Sequence, residues 1–110
     1  MTASGNTIFT EPHVNLYVSS EGFSVEVTGR TRILYSENGR TILVDTEFLA
    51  GPSSLVIFAD SIKCWQPPLD GEIIKEEERR RVLANIRAAF HWKGIEIQVH
   101  ESTWPEDTWT

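Results

Sequence analysis

Asn38-Gly39 stands between two β-prone runs, Arg32-Ile-Leu-Tyr-Ser-Glu37 and Arg40-Thr-Ile-Leu-Val-Asp-Thr-Glu47. A two-residue hairpin loop of type I′ needs φ > 0 at both central positions, and Asn-Gly reaches that conformation at the least cost. With the loop so set, Glu37 faces Arg40, and the later pairs follow: Tyr35 with Ile42, Ile33 with Val44, Leu34 with Leu43, Arg32 with Asp45 and Arg30 with Glu47. A slip of one residue would turn the apolar and charged sets to the wrong faces, so the register is specified together with the turn.

The same period of two extends to either side. Val14, Leu16 and Val18 alternate with polar positions, as do Phe23, Val25 and Val27, with the turn Ser19-Ser20-Glu21-Gly22 between them. This predicts a first hairpin pairing Val18 with Phe23, Leu16 with Val25 and Val14 with Val27, and hence a four-stranded antiparallel meander. Residues 1–12 are expected to be a loose arm, with Ile8 and Phe9 as its points of tether, ahead of a single domain over 13–100. Leu55-Val56-Ile57-Phe58 is a continuous apolar run, the mark of a strand inside the sheet and covered on both faces. Asp60-Ser61 reads as a turn and Ile62 to Trp65 as a short strand or a helical turn, ended by Pro67-Pro68.

From Ile74 to Trp92 the period becomes helical, with Val82, Leu83, Ile86, Ala89 and Phe90 on one stripe. Glu76, Glu77 and Glu78 suit the positive end of the macrodipole and Lys93 the negative end. Glu76 with Arg80 and Glu77 with Arg81 are spaced for i, i+4 pairs, Asp70 is the expected cap, and Gly94 supplies the stop. Ile95, Ile97 and Val99 then alternate with polar residues as a final strand. The expected architecture is α+β: a mostly antiparallel sheet, a meander of about five to six strands, with one long C-terminal helix packed on one face and a last strand.

Chemistry is harder to find. The 110 residues carry 16 acidic and 10 basic side chains, a net charge of −6, which argues against nucleic acid and against an anionic membrane as partners. The single cysteine, Cys64, allows no internal disulfide. With no basic and apolar leader at the N-terminus and no run long enough to span a bilayer, a cytoplasmic location is expected. The three histidines and Cys64 fall in no nucleophile, phosphate-binding or metal motif, so neither a catalytic residue nor a cofactor is expected. Asp45 and Glu47 share a strand face as paired acids might, but cross-strand arginines explain them as ion pairs on an exposed face. The block from Glu76 to Arg81 reads as a solvated helix face. Trp104 and Trp109, in the acidic tail 101–110, either fold back on the domain or await a partner.

Taken together, the run 32–47, the segment Asp60-Ser-Ile-Lys-Cys-Trp65 with Pro67-Pro68, and the acidic-basic helix ending at Gly94 resemble the immunity protein 74 family of bacterial polymorphic toxin systems, over about residues 30 to 100. The resemblance implies a non-enzymatic inhibitor that binds a cognate toxin inside the producing cell. An acidic surface suits the basic cleft of a nuclease toxin, with carboxylates standing where phosphates would. Candidate contacts are Asp45, Glu47 and Asp60, with Trp65 as an aromatic anchor. A small adaptor domain binding a protein of its own cell is the rival reading, and an enzyme a third.

Overall fold

The computed structural model describes residues 7–48, 55–63, 65–66 and 73–100. Seven strands form one sheet in chain order: β1 (Phe9–His13), β2 (Leu16–Ser19), β3 (Phe23–Val27), β4 (Arg32–Glu37), β5 (Arg40–Phe48), β6 (Leu55–Phe58) and β7 (Ile97–His100). Each neighbouring pair is antiparallel except β6 and β7, which run parallel and are joined by a crossover containing the helix α1 (Glu76–Trp92). A short 3₁₀ turn, Ala59–Ser61, follows β6.

The central hairpin has the register that Asn38-Gly39 imposes. Glu37 lies opposite Arg40, Tyr35 opposite Ile42, Leu34 opposite Leu43, Ile33 opposite Val44 and Arg32 opposite Asp45. Asn38 and Gly39 both take positive φ, 51° and 74°, as the primed turn demands. The ladder ends at Arg32 and Asp45, with one further bond from the Thr46 amide to the Thr31 carbonyl; Gly29-Arg30 lie in a bend that the Thr28 N–H closes on the Arg32 carbonyl, and the expected Arg30–Glu47 pair is not part of the ladder.

The first hairpin is displaced by one residue from the expected register. Leu16 lies opposite Glu26, Tyr17 opposite Val25 and Val18 opposite Ser24. Its loop is the reason. The Ser19 hydroxyl accepts hydrogen bonds from the Glu21 and Phe23 amides, and Gly22 adopts φ 94°. That arrangement leaves three residues between Ser19 and Phe23 where four turn positions were expected. Tyr17 therefore points into the core in place of Leu16 and Val18, which are half-buried, and Val14 is exposed.

Order also begins earlier than His13. Within the stretch expected to be a loose arm, β1 starts at Phe9, where Ile8 and Ser20 exchange hydrogen bonds of 2.8 and 2.9 Å. The Phe9 ring packs 5.8 Å from both Phe23 and Trp92. Lys93, at the end of α1, bonds Glu11 at 2.8 Å and ties the strand to the helix.

The helix begins at Glu76, two residues after Ile74, with Lys75 as its N-cap. Glu78 accepts the Lys75 amide at 3.0 Å, one half of a capping box; a lysine side chain has no acceptor to complete the other half. Asp70, expected in that role, lies outside the described residues. The C-terminus closes as a Schellman motif: Gly94 at φ 83°, its amide on the His91 carbonyl and the Ile95 amide on the Phe90 carbonyl. Val82, Ile86, Ala89 and Phe90 bury the apolar stripe against one face of the sheet, formed by Tyr17, Phe23, Val25, Ile33, Tyr35, Ile42, Val44, Leu55, Ile57 and Ile97. β6 lies inside the sheet as expected, but only Leu55 and Ile57 are buried; Val56 and Phe58, on the opposite face, are half-covered. Residues 62–63 and 65–66 form neither a strand nor a helical turn. No described helix is long and apolar enough to cross a membrane.

Candidate partner-binding face

The side of the sheet turned away from α1 carries the acids singled out in the sequence. Alternation along β5 puts Asp45 and Glu47 on it, both exposed. Arg32 Nε lies 3.7 Å from Asp45 Oδ1 with both side chains more than half exposed, so the pair is loosely held and screened. The Asp45 amide donates to Ser61 Oγ at 2.9 Å, and Ser61 Oγ donates to the Phe58 carbonyl at 2.6 Å. Through Ser61 the 3₁₀ turn is fastened to β5 at Asp45; Asp60, within that turn, is half-buried, whereas Asp45 and Glu47 are exposed. Beside the acids lie half-buried apolar side chains: the Leu34–Leu43 pair on one side, and on β6 Val56, opposite Glu47, and Phe58, with the His100 ring edge-on to Phe58 at 5.6 Å. A sheet with one packed face and one face of mixed acid and hydrophobe can accept a cationic protein surface on its outer side.

Trp65 does not belong to that face. It is 1% exposed, and the Arg40 guanidinium stacks 4.3 Å from its ring centroid. The Gln66 amide bonds the Thr41 carbonyl at 2.9 Å, and this bond seats the segment along the start of β5. Trp65 is a core residue rather than an exposed anchor, because the cation beside it and the strand beneath it take up its ring. Its Nε1 has no hydrogen-bond partner among the described residues. Cys64, Pro67-Pro68 and the tail with Trp104 and Trp109 lie outside the described residues.

A buried polar cluster on the helix side fixes this framework. Ile33, Tyr35 and Glu37 share the inward face of β4, so the strand carries a carboxylate into the core. Glu37 accepts hydrogen bonds from Tyr35 Oη at 2.6 Å, from Arg40 Nη2 at 3.3 Å, and from Arg81 through Nε at 3.3 Å and through Nη2. Asn85 Nδ2 donates to Tyr35 Oη at 2.9 Å. Burial opposes ionisation of Glu37, but the Arg81 and Tyr35 hydrogen bonds and the charges of Arg81 and Arg40 outweigh it and hold the carboxyl below its ordinary range. Burial, then donation to Glu37, pushes the Tyr35 phenol up, while the hydrogen bond to Glu37 chiefly raises Arg81. With its lone pairs engaged by these donors, Glu37 is a strut rather than a free base.

This cluster revises the expectation for the helix. Glu76 does pair with Arg80, at 3.2 Å, and also with Arg79. Arg81 crosses to Glu37 instead of turning back to Glu77, and Arg79 is buried, so the basic half of the charge block is partly interior. The signal available in the sequence was parity: the register that buries Ile33 and Tyr35 must bury Glu37 too, and a buried carboxylate requires a cation. Among the described residues no three His, Cys, Asp or Glu side chains gather as a metal site requires.

Compared with known proteins, the chain matches the family model for Immunity protein 74 over residues 24–100. No curated protein and no solved structure matches it.

Proposed function

Because the chain belongs to the Immunity protein 74 family, we propose that it is a non-enzymatic antitoxin that binds a cognate toxin domain in the cytoplasm of a producing bacterium, and that this toxin is a nuclease. The observation that carries the reading is the outer sheet face, where Asp45, Glu47 and the Asp60 turn stand on a hydrogen-bonded framework beside half-exposed leucines. A nuclease holds basic groups where it grips phosphates, and exposed carboxylates can occupy those groups while the apolar positions supply contact area. The net charge of −6 favours rapid capture of a basic toxin, since long-range attraction raises association rates.

Co-expression with the toxin domain encoded beside it tests the reading. Growth should be rescued and a complex recovered. Charge reversal at Asp45, Glu47 and Asp60 together should abolish rescue while leaving the circular dichroism spectrum unchanged. If a soluble toxin forms no complex and growth is not restored, the antitoxin reading is wrong; if the triple reversal still protects, the face is wrong.

A further inference from the structure

The registers of β2 to β5 set one row of side chains straight across the outer face of the sheet. Leu16 lies opposite Glu26, Glu26 opposite Leu34, and Leu34 opposite Leu43. Their neighbours along each strand, Tyr17, Val25, Tyr35 and Ile42, are buried against α1, so alternation turns these four outward, where all are half-buried. A carboxylate therefore stands with a leucine on each side, at the cross-strand spacing of about 4.5–5.5 Å between Cβ atoms. Glu26 makes no hydrogen bond or ion pair among the described residues. Arg32, two positions along β4 from Leu34, is paired with Asp45 on the far side. The next row toward the Asn38-Gly39 turn is built of small side chains: Ser24 lies opposite both Val18 and Ser36, and Ser36 opposite Thr41. A hollow of about 220 Å³ opens there between Val18, Ser24, Ser36 and the turn. Glutamate is disfavoured in strands, and leucines offer its charge nothing in return.

We propose that Glu26 is the charge that selects the partner: one basic side chain of the toxin domain docks on it between Leu16 and Leu34, with its stem along the hollow over Ser24 and Ser36. The proposal rests on the toxin-binding reading and adds to it the contact at the centre of the face. When a partner closes over this row, the leucines on either side exclude water from the carboxylate, and attraction to a cation strengthens as the surroundings dry. Charge pairs enclosed by apolar side chains carry binding energy that exposed pairs at a rim do not. The requirement also works in reverse. A protein that presented an apolar or acidic group to this row would bury Glu26 without a cation, a cost that separates it from the cognate partner. The Ser24 and Ser36 hydroxyls have lone pairs to accept from an ammonium or guanidinium group passing over them. Asp45 and Glu47, exposed farther along the face, then steer the approach.

Binding of the full chain to the toxin domain encoded beside it, followed by surface plasmon resonance, tests the proposal. Glu26→Gln keeps the shape and removes the charge, and should raise Kd about thirtyfold or more, nearly all of it as faster dissociation. Glu47→Gln, an exposed acid of the same face, should change Kd about fivefold or less, as slower association. Because Glu26 has no partner in the free chain, Glu26→Gln should leave the thermal midpoint unchanged, which separates weaker binding from loss of folding. If Glu26→Gln does not fold, Glu26→Asp, which draws the carboxylate back from the partner, decides by the same dissociation rate. Changing the exposed lysines and arginines of the toxin domain to alanine one at a time should find one whose loss is no longer felt once Glu26 is Gln. Absence of any complex with the parent chain overturns the toxin-binding reading and this proposal with it. A parent complex that Glu26→Gln leaves intact, or that shows no such coupling, overturns the proposal alone and leaves that reading standing.

Discussion

Arg81 Nε lies 3.3 Å from Glu37 Oε1, joining residues 44 apart in sequence across the helix–sheet interface, with the carboxylate side chain wholly buried. Removing one partner of a buried pair costs about 3–5 kcal/mol; loss of Arg81 should cost less than that, because Arg40 still bonds the carboxylate. Glu37→Ala should cost the most, because Tyr35 and Arg40 lose the same acceptor. The double variant Glu37→Ala/Arg81→Met should be less destabilised than the sum of the two single changes. Urea unfolding of the four proteins measures the coupling; strict additivity would show that the pair is incidental.

The same carboxylate sets an acid response. In the unfolded chain Glu37 takes up a proton near its ordinary value of 4.5, while in the fold its pKa is lower. Between those values the unfolded state binds more protons, so stability rises with pH. The contribution is complete above the ordinary value and is lost as pH falls through the folded one. Urea midpoints from about pH 5 down to about pH 3 should fall more steeply in the parent than in Glu37→Gln, which has no proton to gain. Parallel slopes would assign the acid sensitivity to other carboxylates.

The register of the first hairpin predicts unequal neighbours. Tyr17 is 3% exposed with Phe90 5.7 Å away edge-on, whereas Leu16 is half-buried on the outer face. Truncating a buried aromatic costs about 3–5 kcal/mol, so Tyr17→Ala should approach that loss, and Leu16→Ala should stay near 1 kcal/mol, as is usual away from the core. Thermal melts of the two variants distinguish the observed register from the one that buries Leu16.

How legible each element was depended on the range of the interaction that sets it. The Asn38-Gly39 hairpin is governed by two adjacent residues, and its six pairs from Glu37–Arg40 to Arg32–Asp45 follow from them. The helix was legible from its apolar stripe, and the stop at Gly94 from its φ requirement. The first hairpin failed on one hydroxyl: Ser19 Oγ closes the loop by bonding two amides, and a serine in a run of small polar residues carries no mark of that. Arg81 failed for another reason. Local spacing favours Glu77, and only the sheet brings Glu37 within reach. Of the residues expected to bind a partner, Asp45 and Glu47 could be placed on one face from alternation alone. The burial of Trp65 depends on Arg40 and the start of β5, to which no periodicity connects it.

The parallel join of β6 to β7 has a consequence for how the chain acquires its shape. From β1 to β5 each strand pairs with the next across a short connection, so little chain entropy is spent in closing each contact. Leu55 and Ile97 must instead find one another after the whole crossover has been drawn in, and non-local closures are the slow ones. The meander can therefore assemble first and offer β6 as a template, with α1 and β7 arriving last. Of the described elements, β7 is then the last to join the sheet.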